Sequence, residues 1–210
     1  MKTPSLVRRA GFALAGAAVL ALAACAGSPT LGPQWTDPQL GAQSAYLRGS
    51  RVLVACDAGD VAVRQICQDR MAGEVTARGA TPLFVPPGTP IATDRAIDGQ
   101  LIDAARGAGA KALMVVTIAP AVTDVSPGFS IGIGGFGFGR SSAVGVGVAA
   151  PIGGGRVTTG YSANGRLTDV GSGRLVWSAT ASTPPSSDVD AQLAELSKTV
   201  FGAAEKSGLF

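Results

Sequence analysis

The chain has 210 residues, 30 of them glycine, about twice the ordinary share, and no histidine. The missing imidazole excludes histidine-based triads and histidine metal sites. The formal charge of +3 includes Lys2, Arg8 and Arg9. Without that first segment, fourteen basic residues stand against fourteen acidic ones, so the pI near 9.0 is no argument for nucleic-acid binding.

Taken in chain order, residues 1–24 read as a signal peptide. Lys2, Arg8 and Arg9 form a basic flank, Phe12 to Leu22 is an apolar run, and Leu22-Ala23-Ala24-Cys25 follows. The run is short for a permanent transmembrane helix. Leu-Ala-Ala-Cys resembles the lipobox of bacterial lipoproteins, in which the cysteine thiol, here Cys25, is acylated and becomes the new N-terminus. Acyl chains at about 0.8 kcal/mol per buried methylene make a stable anchor. The resemblance also implies sorting: Ala26, not Asp, follows the cysteine, which points to the outer membrane. Residues 25–48 contain Gly27, Pro29, Gly32, Pro33 and Pro38 and read as a lipidated tether, with Trp35 as the one residue fit to dock on the domain or lie near lipid.

Residues 49–210 suit a single periplasmic domain. Val52 to Ala55 reads as a strand. A helix over 61–78 follows, capped by Asp57 or Asp60, with Val63, Ile66, Cys67, Met71 and Val75 as its apolar stripe. Thr81 to Val85 is a second strand. Residues 96–108 form a shorter helix with Ile97, Leu101, Ile102 and Ala105 inward. Ala112 to Ile118 lacks polar alternation and predicts a strand buried on both faces. This order gives a three-stranded parallel βαβαβ start. Val157 to Asp169 and Arg174 to Ser182 predict an antiparallel hairpin around Gly171-Ser172-Gly173, with Leu175 and Trp177 on one face. A C-terminal helix, capped by Ser187 or Asp188 and carrying Val189, Leu193, Leu196, Val200 and Ala204 inward, closes an α/β fold with an α+β tail.

The unusual stretch is 130–155. Ile131, Ile133, Phe136 and Phe138 alternate with glycine, and so do Val144, Val146 and Val148, giving two strand-like halves with one apolar and one bare face. Seven glycines between 132 and 147 are costly at roughly 0.5–1 kcal/mol each unless close approach returns something. Three readings stand: a hairpin packed tightly on a neighbour, a transmembrane hairpin of an oligomeric pore, or an element that docks a partner or self-associates. The glycines are neither a P-loop, since no Gly-Lys-Ser/Thr end follows, nor a dinucleotide fingerprint, since a strand rather than a helix comes next.

Cys56 and Cys67 remain as an even pair in an oxidising compartment and are candidates for a disulfide, with two buried thiols as the alternative. Asp57 and Asp60 read as caps, and Asp98 and Asp103 as solvent-facing. Arg64, Arg70 and Arg78 interleave with Asp69 and Glu74 as a solvated mixed face, so no nucleic-acid partner is expected. No metal, cofactor or catalytic group is expected either.

Gly-Ala-Lys-Ala-Leu-Met-Val-Val at 109–116, the glycine-rich stretch, Leu167-Thr168-Asp169-Val170 and Gly173-Arg174-Leu175-Val176-Trp177-Ser178 together resemble a group of small proteobacterial outer-membrane lipoproteins built on a domain of unknown function. The α/β order is similar to the N-terminal domain of the Tol-system propeller protein and to the curli secretion lipoprotein. The group resemblance implies a non-enzymatic, outer-membrane-anchored periplasmic protein that binds or scaffolds envelope components. The curli likeness implies the alternative: a component of an oligomeric secretion or pore assembly. Cys25, the pair Cys56 and Cys67, and the apolar residues Ile131, Ile133, Phe136, Phe138, Val144, Val146 and Val148, as membrane or partner contacts, are the candidate site residues.

Overall fold

The computed structural model describes residues 28–41, 45–86, 97–125, 129–131 and 157–210. Cys25 and six of the seven apolar candidates, from Ile133 to Val148, lie outside these residues, as does most of the proposed hairpin 130–155.

Strand β2 (Arg51–Asp57) is apolar throughout its middle, and Val52, Leu53, Val54 and Ala55 are buried. Helix α1 (Val61–Ala77) follows. Asp60 is its N-cap, its carboxylate accepting from the Val63 N–H at 2.9 Å, which satisfies one of the free N–H groups of the first turn. Gly79, at φ +77°, lets the chain turn into β3 (Thr81–Phe84). Helix α2 (Ile97–Gly107) and the long strand β4 (Ala112–Val125) come next. β2 pairs in parallel with both β3 and β4, as the alternating order predicts.

From β4 onward all pairing is antiparallel. β5 (Phe129–Ile131) lies along the end of β4, and β6 (Val157–Asp169) along its whole length. β7 (Leu175–Ser182) pairs with β6, and β1 (Thr30–Thr36) pairs with β7 at the sheet edge. The path is β1-β7-β6-β4-β2-β3, with β5 beside β4. Helix α3 (Val189–Lys206), N-capped by Asp188, packs beside α1 on one face, and α2 covers part of the other.

The ordered sheet therefore reaches back into the stretch read as a tether. Thr30–Thr36 is an edge strand, Pro38–Leu40 a 3-10 turn, and Leu47 a fully buried core residue. Prolines at 29, 33 and 38 do not forbid this, because an edge strand needs its N–H groups on one side only, and β1 slips register between Leu31 and Gln34, across Pro33.

The hairpin differs in one detail. Leu167 faces Trp177 but Thr168 faces Leu175, so Val176 is an extra residue. This bulge puts Leu175 and Trp177 on opposite faces. Trp177 is fully buried against α3 and donates its indole N–H to the Ser207 hydroxyl at 3.2 Å. Gly165 on the neighbouring strand makes room: a Cβ there would stand 2.8 Å from a Val200 methyl and 3.5 Å from the Trp177 ring.

Cys56 and Cys67 are bonded in the structure, their Cα atoms 6.1 Å apart. The bridge ties the end of β2 to the second turn of α1. The loop is short, so the expected contribution is about 2–3 kcal/mol. Replacing both cysteines by alanine should lower the unfolding free energy of the oxidised protein by that amount, and its denaturation midpoint with it. Adding reductant should bring the wild type towards the variant and leave the variant unmoved; equal midpoints in oxidising buffer would show that the bridge contributes nothing.

Candidate functional site

The two ends of the sheet differ in build. At one end the β6–β7 turn is held by side chains. Asp169 accepts from the Ser172 N–H and hydroxyl, both at 2.7 Å, and from the Tyr46 hydroxyl. Lys111 sits over the Tyr46 ring, 4.3 Å from its centre, and donates to the Tyr46 carbonyl at 2.6 Å. Burial alone would raise the Asp169 carboxyl. The Tyr46 and Ser172 hydrogen bonds and the Lys111 charge outweigh it and hold the group below the usual carboxylate range. Burial and Asp169 in turn push the Tyr46 hydroxyl well above its ordinary value. Arg174 reaches the Asp37 carboxylate at 3.0 Å and Gln39 at 2.9 Å. These contacts pin the segment between β1 and β2 to the hairpin, and they account for the polar residues there.

At the other end β4 and β6 outrun their neighbours. β2 accompanies β4 only as far as Thr117, while β6 pairs with it to Val125 opposite Val157. The result is a projecting arm completed by β5. Gly160 lies at its root because β6 there passes the chain at Thr183–Pro185: a Cβ would stand 2.5 Å from the Thr183 carbonyl oxygen. Residues 132–156 leave and rejoin the fold on this arm, at Ile131 opposite Thr123 and at Val157 opposite Val125. Ile131 thus lies in β5, the one apolar candidate among the described residues. Val122 and Val157 on the arm, and Leu31 at the start of β1, are exposed apolar residues.

On the second sheet face α2 packs on Leu53, Ala55, Leu113 and Val115, and among the described residues no helix lies over β6 and β7. There Arg166 meets Asp98 at 2.6 Å, so Asp98 is paired rather than solvent-facing as its sequence position suggested. Burial holds the Asp98 carboxyl above its ordinary range, more than Arg166 lowers it. Two cavities meet at Arg166. One of about 370 Å³ lies between Asp98, Thr168 and Leu175, and one of about 300 Å³ between Thr117, Asn164 and Thr180. Asp98 Oδ1 and Arg166 Nε are buried without a partner. Ile102, Leu175, Pro33 and Ala119 share the lining with hydroxyls, the Asn164 amide and one ion pair, an arrangement that can bind, and among the described lining residues no nucleophile stands beside an activating base. Among the described residues no group of three His, Cys, Asp or Glu side chains could hold a metal ion, and no helix is long and apolar enough to cross a membrane.

Arg64 and Arg70 are exposed, as expected of a solvated mixed face, and Arg78 is half-buried. Arg70 pairs with Asp190, and Arg78 with Glu74 and, at 3.2 Å, Glu205, so both tie α1 to α3. Arg64 donates to the Ala58 carbonyl at 2.8 Å. No basic stripe remains on this helix.

No family model matches the chain, and no curated protein matches it. Solved structures do. The chain is similar to a PelC dodecamer from Paraburkholderia phytofirmans at 15% identity, over 87% of this chain and 99% of that one, with a TM-score of 0.50. A second PelC dodecamer from the same organism gives 15% identity over 82% and 97%, with a TM-score of 0.46. Lipoprotein GNA1162 from Neisseria meningitidis gives 14% over 74% and 98%, with a TM-score of 0.39. At such identities the first match shows a shared fold.

Two expectations follow from the geometry. Tyr46→Phe should cost about 1–2 kcal/mol near neutral pH, the worth of a hydrogen bond to a half-exposed carboxylate. Because the folded-state pKa of Asp169 lies below its unfolded value of about 3.8, its share of stability is present above that value and lost as pH falls through the folded one. Denaturant titrations of wild type and variant should therefore converge below about pH 4; a pH-independent gap would rule out the carboxylate as the partner that matters. Arg166→Met should cost about 1–3 kcal/mol by leaving Asp98 half-buried and unpaired, and the double variant with Asp98→Leu should recover most of the loss. A double variant as unstable as the sum of both single changes would contradict this.

Proposed function

We propose that this chain is a non-enzymatic envelope protein, lipid-anchored through Cys25 at the periplasmic side of the outer membrane, that acts as a subunit of an oligomeric assembly. The observation that carries the reading is the fold shared with a dodecameric PelC over nearly the whole of both chains. The anchor rests on the Leu22-Ala23-Ala24-Cys25 sequence after a basic and apolar leader. The projecting arm adds a physical reason for assembly. The arm presents the exposed apolar side chains of Val122 and Val157. Contacts with neighbouring copies would cover them. The sequence likeness to the curli secretion lipoprotein belongs to this same reading, whereas a monomeric scaffold would leave the arm bare.

The deciding measurement is the mass of the lipidated protein extracted in detergent, with and without residues 130–155. A closed assembly of several copies is expected for the full chain and its loss on deletion. A monomer or dimer in both forms would sink the assembly and leave an anchored adaptor. Cys25→Ser should meanwhile move the protein from the membrane fraction to the soluble one; unchanged membrane retention would remove the anchor from the reading.

A further inference from the structure

Gln192 is buried in the first turn of α3, and both ends of its amide are bonded. Its Oε1 accepts from the Thr183 hydroxyl at 2.8 Å. Its Nε2 donates to the Thr159 carbonyl at 3.0 Å and to the Ser186 carbonyl at 3.1 Å. Thr183 is buried as well and is stitched to β6: its hydroxyl accepts from the Tyr161 N–H at 3.1 Å, and its own N–H donates to the Tyr161 carbonyl at 2.8 Å. Glutamine is rarely buried, and it costs stability there unless its amide is paired. A position that holds one therefore has polar groups to meet. Here they belong to the root of the arm and to the chain that runs beside it.

A ribbon of two strands bends easily unless something holds it. At its root the arm is such a ribbon of β4 and β6, for β2 accompanies β4 only to Thr117 and β7 ends at Ser182, opposite Ser162. The β4–β6 register slips between Pro120 and Val122, and a bulge of this kind lets strands bend and twist. The clamp lies just beyond that slip, where Gly160 pairs with Val122 and Thr159 with Thr123. The segment from Thr183 to Ser186 continues the line of β7 past the slip, with Ser186 bridging to Thr159. Gln192 joins this segment and Thr159 to α3, and Asp190 in the same turn pairs with Arg70 on α1. From this we infer that Gln192 is the positioning residue of the arm: it fixes the angle at which the arm leaves the body, and assembly depends on that angle. The inference rests on the assembly in the proposed function. Identical contacts close into a ring only when the rotation between copies is right, and an arm already held at that rotation has less freedom to lose on contact.

The test compares three single substitutions in the lipidated full chain in detergent. Gln192→Leu removes the clamp; the Thr183 hydroxyl can then turn to the Tyr161 carbonyl, 3.3 Å away, so no buried hydroxyl is stranded. Gly160→Ala acts from the strand side, since its Cβ would stand 2.5 Å from the Thr183 carbonyl oxygen. Ser197→Ala is the control: the residue is buried on the same helix, and its hydroxyl donates to the Leu193 carbonyl of that helix at 2.7 Å. Circular dichroism selects conditions in which each protein is folded. The concentration of half-assembly and the hydrogen exchange of the amides of residues 123–125 and 158 are then measured. Gln192→Leu and Gly160→Ala should each raise the half-assembly concentration about tenfold or more. Both should also speed exchange in the arm about tenfold while the amides of Leu113 to Val116 stay as in the wild type. Ser197→Ala should change neither readout. Should Gln192→Leu fail to fold, Gly160→Ala carries the comparison. A wild type that assembles and a folded Gln192→Leu that assembles equally well would overturn the inference and leave the assembly standing. Unchanged exchange in the arm would overturn it too, as would an equal loss of assembly in Ser197→Ala, which would trace the effect to general destabilisation. A wild type that does not assemble would overturn the proposed function, and the role of Gln192 with it.

Discussion

The antiparallel pairing of β4 with β6 runs from Ala112 opposite Asp169 to Val125 opposite Val157, and both halves of the sheet are attached to it. On one side β4 carries the parallel strands β2 and β3 with their crossover helices. On the other, β6 carries β7 and then β1. The first half of β4 is buried on both faces because helices lie above and below it; Ala112 to Val116 are all but inaccessible. That burial requires the unbroken apolar run at 112–116, and the run in turn leaves β4 no free edge inside the body. Past Thr117 β2 ends, and the same two strands continue as an arm that the chain at Thr183–Ser186 and the start of α3 accompany as far as Thr159. One pairing thus runs from the sealed core out to the exposed Val122 and Val157.

The two faces of the sheet are unequal for a related reason. α1 and α3 lie side by side and are joined by Arg70 to Asp190 and by Arg78, which stands over the Phe201 ring and pairs with Glu74 and Glu205. They cover one face from β2 to β7. Among the described residues the other face has α2 alone, over β2 and β4, and Ser162, Asn164, Arg166 and Thr180 of β6 and β7 line a groove there. These buried and half-buried polar groups are satisfied locally: the Ser162 hydroxyl donates to the Ala119 carbonyl, the Asn164 amide donates to the Thr180 hydroxyl, and Arg166 pairs with Asp98. Asp98, at the first turn of α2, is the point where the covering helix meets the open half, and its pairing with Arg166 joins the two.

Much of this was legible in the sequence. The helices are found within a residue or two of their expected bounds, because apolar residues at helical spacing and a capping aspartate act locally: Asp60 and Asp188 both cap. The central strand was legible because five consecutive buried residues leave no polar alternation. Cys25 and the glycine-rich candidates from Ile133 to Val148 lie outside the described residues. What escaped depends on pairing across the chain. β1 reads as a proline-punctuated linker, and only the edge of β7 makes it a strand. Asp98 reads as surface, because its partner is sixty-eight residues away in sequence on β6. The bulge at Val176 reverses the faces of Leu175 and Trp177, and a period-of-two count has no means to see it.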